Sequence, residues 1–344
     1  TSAPAGAWES QLLPARLHDY DIGWLDAQCA SGRIAWTRLR AAGGAHASPV
    51  RASPIVLLQR RQMALWSSLG TNADAGAPKL SSRAQAVAEY LAQHGASFFD
   101  EIAGAARLLH AETEDALAEL VGAGMIGADS FSGLRAMLLP ASKRNHSCHR
   151  RLRRHMLSGI EDAGRWSLIV RRDAASLQGG ETVEHVARVL LRRWGVVFWT
   201  LLQREAAWLP PWRELRRVYQ RLEARGEIRG GRFVAGMAGE QFALPEAIGA
   251  LRTARKSRDG ELVAIGGADP LNLLGGVLPG ARVPAVAGSR IVFRDGTPLA
   301  ARVAGEISLL QPLPPGEERE VRGVLRQEAA WRRGEAVREG AATP

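Results

Sequence analysis

The chain has 344 residues, of which 46% are hydrophobic and 23% charged, with a formal net charge of +10. No apolar run approaches the roughly 20 residues that a bilayer demands, so a membrane span is not expected, and the length calls for two to four domains. The charge is concentrated: residues 140–235 hold 20 Lys+Arg against 9 Asp+Glu, whereas the rest holds 25 against 26.

The opening "TSAPAGAWES" lacks the basic-then-apolar order of a signal peptide and starts with Thr1, as expected of a piece of a longer polypeptide. "WLDAQCASGRI" then reads as a helix, a glycine and an isoleucine two residues on. The pattern returns as "ALAELVGAGMI" and "VYQRLEARGEI". Its glycines are Gly32, Gly124 and Gly226, each seven residues after an apolar anchor: Leu25, Leu117 or Tyr219. A glycine there suits a left-handed helix C-cap, and the isoleucine starts a strand packed back on the helix. Each copy is followed by two strand-like segments: "RIAWTRL" with "PIVLLQ", "MIGAD" with "LRAML", and "GRFVAG" with "EQFALP".

Two further helical patterns precede the second and third copies, near 82–94 and 98–107 and near 182–194 and 198–207. Ser82 and Thr182 are expected N-caps, with Gly95 and Gly195 as stops. Three helices closed by a hairpin describe a winged helix, whose third helix commonly enters a major groove. After about residue 255 the pattern turns to short strands, with the hairpin signal Asp295-Gly296, and then a closing amphipathic helix over 317–337. The expected class is α+β: three tandem winged helices, the first partial, followed by a small β-barrel and a C-terminal helix. The boundaries are 1–70, 71–175 with a basic connection, 176–254 and 255–344.

The three third helices differ in charge. Residues 112–121 carry Glu112, Glu114, Asp115 and Glu119 and no Lys or Arg, so phosphates would repel that helix and protein is its expected partner. Residues 21–31 are nearly neutral. In the third copy Trp212, Leu215, Tyr219 and Leu222 form an apolar seam, and Arg213, Arg217, Arg221 and Arg225 a ridge nearly opposite. Arg229 and Arg232 continue the charge into the wing, and Arg150, Arg151, Arg153 and Arg154 in "KRNHSCHRRLRRHM" form a basic connection that could follow phosphates or simply be solvated.

His146, Cys148, His149 and His155 in that run match no common zinc spacing and sit among arginines, so no metal is expected and no cofactor. The two cysteines, Cys29 and Cys148, form no CxxC, which fits a reducing, cytoplasmic setting. Trp166, Trp194, Trp199, Trp208 and Trp212 fall at apolar helical or strand positions and are expected in the core.

"PWRELRRVYQRLEARGEIRGGRFVAGMAGEQFALPEA" (211–247), "GGADPLNLLGGVLPGARVPAVAGSRIVFRDG" (266–296) and "LLPARLHDYDIGWLDAQCASGRIAW" (12–36) resemble the C-terminal region of bacterial large helicase-related (Lhr) proteins. The resemblance implies a parent in which an ATP-driven DNA helicase core precedes tandem winged helices and a β-barrel that help form a homotetramer. This stretch has no GxxxxGK[ST] loop and no DEAD/DEAH-like motif, so the motor is not expected within it. The architecture is also similar to AlkZ-type DNA glycosylases, and uracil excision is associated with the family's C-terminal part.

The Gln-x-Gln pair of the AlkZ-type enzymes does not occur here. Asp269 in "GGADPLNLLGG", with Asn272 close by, is the candidate catalytic acid, against the plainer role of an aspartate capping a turn before proline. Glu240 and Gln241 are taken as ordinary wing residues. The leading expectation is a module that binds DNA, single-stranded or duplex, and supports oligomerisation of a helicase, with the core of the same polypeptide as partner. A glycosylase acting on uracil or on alkylated or crosslinked bases, and a tetramerisation scaffold without DNA contact, are the alternatives.

Overall fold

A computed structural model describes residues 2–39, 50, 53–70, 79–138, 160–169, 179–286 and 288–326, which fall into two compact units, Thr1–Ser176 and Leu177–Pro344. The first unit opens with β1 (Ser2–Pro4), short helical turns at Ala5–Ala7 and Trp8–Leu12, α1 (Ile22–Ala30), β2 (Ile34–Thr37), β3 (Pro54–Gln59) and α2 (Met63–Gly70). The strands form an antiparallel sheet of order β1-β3-β2, with Ser2 opposite Val56 and Trp36 opposite Leu57. There follow α3 (Ser82–His94), α4 (Phe99–Ala106), α5 (His110–Gly122), β4 (Ile126–Ala128), α6 (Ser132–Leu138) and β5 (Trp166–Leu168). β4 pairs with β5, and Ser97 bridges to Trp166 of β5 through two backbone hydrogen bonds of 3.0 and 2.8 Å.

The second unit starts with α7 (Gly179–Trp194), β6 (Val196–Phe198), α8 (Trp199–Leu202), α9 (Trp212–Ala224), β7 (Arg229–Gly231) and β8 (Gln241–Ala243), its sheet ordered β6-β8-β7. One pairing pattern therefore recurs: β6, between α7 and α8, and β7, after α9, both pair with β8; Ser97, between α3 and α4, and β4, after α5, both pair with β5; and β1 and β2, on either side of the single α-helix α1, both pair with β3. The glycine that marks the repeat has the same job in each. Gly32, Gly124 and Gly226 take φ of +70°, +67° and +76°, a region where a Cβ is strained. The next N–H then reaches back into the last helical turn: Arg33 to the Gln28 carbonyl, Met125 to Leu120 and Glu227 to Leu222, at 3.0–3.1 Å.

Three local expectations change. "LRAML" is not a strand but lies in α6, with Leu134, Ala136 and Met137 buried; the partner of β4 is Trp166–Leu168. A short continuous apolar run fits a buried helix as well as a strand, and burial on several sides removes the period that would separate them. The N-cap of α3 is Ser81 rather than Ser82, its hydroxyl accepting the Ala84 N–H at 3.2 Å, and Thr182 lies inside α7.

In the first unit both winged modules share one core. The indole of Trp36 packs edge-on against Phe131 and Trp166, with ring centroids at 6.4 and 6.3 Å, and its Nε1–H donates to the Ser130 carbonyl at 2.8 Å. Beside it the half-buried Arg135 guanidinium holds Glu9 at 2.7 Å and Asp26 at 3.0 Å. Burial alone would lower the pKa of Arg135, but the hydrogen bonds it donates to these two carboxylates, with their negative charge, outweigh it and the net direction is up.

In the second unit α10 (Pro245–Lys256) leads to β9 (Leu262–Gly266), β10 (Arg290–Arg294), β11 (Thr297–Val303), β12 (Glu306–Leu309) and α11 (Pro315–Arg326). In place of the expected barrel, the described residues form an open antiparallel sheet of order β12-β11-β10-β9. Four strands are too few to curl around a filled interior, for which about eight are typical. Each face is covered by another element instead. Ile291, Phe293 and Ala301 pack on Leu274 and Val283, while Val292, Leu299 and Ala300 pack on Val321 and Leu325 of α11. Asp295 and Gly296, at φ of +48° and +77°, turn β10 into β11. Among the described residues no helix is long and apolar enough to cross a membrane.

Candidate nucleic-acid interface

α9 follows from its sequence directly. Pro211 precedes it with φ preset, Glu214 lies in the first turn and Arg221 in the last, each favourable to the helix dipole. Leu215, Val218, Tyr219 and Leu222 are buried, and the Tyr219 hydroxyl donates to the Ala187 carbonyl of α7 at 3.3 Å. Burial, helped by the charge of Glu205, pushes this phenol's pKa up, so it stays a neutral donor.

The opposite face carries Arg213, Arg217 and Arg221, all exposed and without an ion-pair partner among the described residues. The fourth ridge residue, Arg225, is engaged: it approaches Glu184 at 3.4 Å and Glu227 at 3.7 Å, carboxylates that Arg188 also holds at 2.9 and 2.6 Å. Arg216, between the ridge and the seam, is clamped to Glu240 of the wing by two bonds of 2.6 and 3.0 Å.

The wing is the β7–β8 hairpin, with Arg229 and Arg232 exposed and unpaired among the described residues. Its shape depends on Gln241, which is fully buried. The Gln241 Oε1 accepts both the Phe233 and Val234 N–H groups at 2.8 Å, and its Nε2 donates to the Val234 carbonyl at 2.9 Å and that of Met237 at 3.4 Å. Gln241 thus braces a tip that has no strand partner of its own.

A basic group that pattern reading missed lies on α10. Arg252, Arg255, Lys256 and Arg258 are exposed with no ion pair among the described residues. The signal was present in "LRTARKSR", four cations in seven residues at a helix end, but it falls outside the repeated unit that drew attention. Trp199, expected in the core, is 50% exposed, because Phe198 fills the core position just before it and α8 is a single short turn. Trp166 is buried as expected, and Trp194 is half-buried, its Nε1–H donating to Glu205 at 2.8 Å.

Asp269 is 5% exposed and sits in a turn: its Oδ1 accepts the Leu271 N–H at 2.9 Å and its carbonyl accepts the Asn272 N–H. The Asn272 amide donates to the Gly267 and Val283 carbonyls at 2.8 and 3.1 Å, and the Arg204 guanidinium donates to the Asn272 carbonyl. This is the geometry of an aspartate that shapes the loop before Pro270. Arg150, Arg151, Arg153 and Arg154, with His146, Cys148, His149 and His155, lie outside the described residues. Among the described residues no group of three potential metal ligands converges.

A three-helix fold with one strand order repeated in tandem, and a cationic third helix and wing in its last copy, is that of a tandem winged-helix protein. Comparison with known proteins agrees: family models described as the winged-helix domain of the large helicase-related protein match residues 1–60, as the third such domain, and 177–263, as the fourth. The Escherichia coli K12 protein named "Lhr helicase/uracil glycosylase" is 30% identical over 324 residues, 85% of this chain and 20% of that protein. A Mycolicibacterium smegmatis protein named "Lhr helicase/ probable uracil glycosylase" is 26% identical over 302 residues, covering 80% and 19% respectively. The chain belongs with the large helicase-related (Lhr) proteins as a counterpart of their C-terminal region, and it spans about a fifth of the length of these relatives.

Proposed function

We propose that this chain is a DNA-binding region of a helicase-related protein, in which α9 and its wing hold the phosphate backbone and the motor lies elsewhere in the same polypeptide. The observation that carries this is the row Arg213, Arg217 and Arg221, continued by Arg229 and Arg232, exposed and not neutralised by any described carboxylate. Unpaired guanidiniums at helical spacing fit phosphates along a groove, each contact releasing counterions. By resemblance the parent assembles as a homotetramer, with the modules 1–70, 71–175, 176–254 and 255–344 sharing that work. The test is the salt dependence of binding to a duplex: the triple variant R213E/R217E/R221E should flatten the log-log slope by roughly 3, at about 0.9 per lost contact. An unchanged slope and affinity would refute the assignment.

The names of both relatives favour a second reading, excision of uracil. It predicts alkali-labile sites in uracil-containing oligonucleotides at enzyme excess, lost in Asp269→Asn if that acid takes part. If no strand cleavage follows alkali treatment, this chain is a binder and not a glycosylase.

A further inference from the structure

Trp199 is 50% exposed although Phe198 and Leu201 beside it are 3% and 4% exposed. Its indole borders a cavity of about 170 Å³ between α8 and the start of α9, walled by Leu202, Pro210, Pro211 and Trp212. Gln203 lines the same cavity one helical turn after Trp199, and its exposed amide is bonded to no other described residue. Glu205 also faces it, but Arg193 at 2.7 Å and the Trp194 Nε1–H at 2.8 Å engage that carboxylate. The arginine ridge begins at Arg213, next to the Trp212 wall.

A flat aromatic face, a neutral amide offering donor and acceptor, and a neighbouring row of cations form the combination that holds one base of a strand whose phosphates are gripped alongside. We propose that this cavity takes a single unstacked nucleobase of bound DNA, stacked on Trp199 and contacted at its edge by Gln203. The proposal rests on the DNA-binding reading above and adds a preference for unpaired over fully paired DNA. Charge favours this occupant over an apolar peptide, since the exposed arginines would repel a cationic partner and gain nothing from a neutral one.

The test compares the whole chain with Trp199→Ala, Trp199→Phe and Gln203→Ala in binding three probes of equal length: a single strand, the same strand made of abasic residues, and a blunt duplex. A duplex carrying one bulged base, as a fourth probe, separates a flipped base from a single-stranded segment. Trp199→Ala should weaken binding to the base-bearing strand by about 5- to 100-fold and leave the abasic strand and blunt duplex within about twofold. Trp199→Phe should recover most of the loss, and Gln203→Ala should show a smaller loss confined to base-bearing probes. Equal losses on abasic and base-bearing strands, or none, would overturn the base pocket while wild-type binding leaves the DNA reading intact. Failure of the wild-type chain to bind any probe would overturn both.

Discussion

α5 and α9 occupy the same position in the same fold and have opposite charge and surroundings. α5 buries Thr113, Ala116, Leu117, Leu120, Val121 and Gly122, whereas α9 buries only Leu215, Val218, Tyr219 and Leu222. Three of the four acids of α5, Glu112, Glu114 and Glu119, have partners within the unit. Glu119 accepts the Ser81 N–H and hydroxyl at 2.7 and 2.6 Å, Glu112 pairs with Arg83 at 2.8 Å, and buried Arg38 donates to the Gly122 carbonyl at 2.7 Å. On the α9 ridge only Arg225 is engaged, and Arg213, Arg217 and Arg221 have no ion-pair partner among the described residues. In a winged helix the outer face of the third helix can serve protein or nucleic acid, and the sign of its charge, together with how much of it is covered, distinguishes the two.

The largest effect expected lies on the covered side of this contrast. Trp36→Ala removes the ring that joins the two modules of the first unit and should cost about 3–5 kcal/mol in denaturant unfolding, with DNA affinity at α9 unchanged. A loss of affinity as large as that of the ridge variant would mean that the first unit also carries the DNA contact. On the open side, Gln241→Ala leaves the Phe233 and Val234 N–H groups without their acceptor, at a cost of about 1–3 kcal/mol. Binding should weaken with it because Arg229 and Arg232 lose their fixed placement; unaltered binding would show that the wing does not take part.

The smallest change concerns the Arg216–Glu240 clamp. Glu240→Gln removes a negative charge beside the ridge and frees Arg216, so affinity for duplex DNA should rise about two- to fivefold at low salt. A hydrogen bond from Arg216 holds the Glu240 carboxyl below the usual range, and one from Arg188 does the same for Glu227. The sign follows from linkage: these contacts are complete above the usual carboxylate pKa and are lost as pH falls through the depressed values. The affinity gain of Glu240→Gln should therefore persist at neutral pH and shrink in acid as wild-type Glu240 takes up a proton; a gain independent of pH would argue against a charge effect.

Much of this architecture was legible because it rests on backbone requirements. A glycine that must take positive φ after a helix is hard to replace, so Gly32, Gly124 and Gly226 marked the repeat. Asp26 is held by Arg135, more than a hundred residues along the chain, a pairing that no local pattern encodes. α6 was read as a strand because burial on several sides erased its period. The single turn of α8 was too short to show that Trp199 faces outward, and the open sheet depends on how many strands pair, which alternation alone does not state.

The most direct test is an arginine footprint: modification of the chain with an arginine-specific dicarbonyl reagent, with and without bound duplex DNA, read by peptide mass spectrometry. Protection of Arg213, Arg217, Arg221, Arg229 and Arg232, with Arg83, Arg107 and Arg165 of the first unit reacting as before, is the predicted result. Protection of the first-unit arginines with the α9 ridge still reactive would contradict the account.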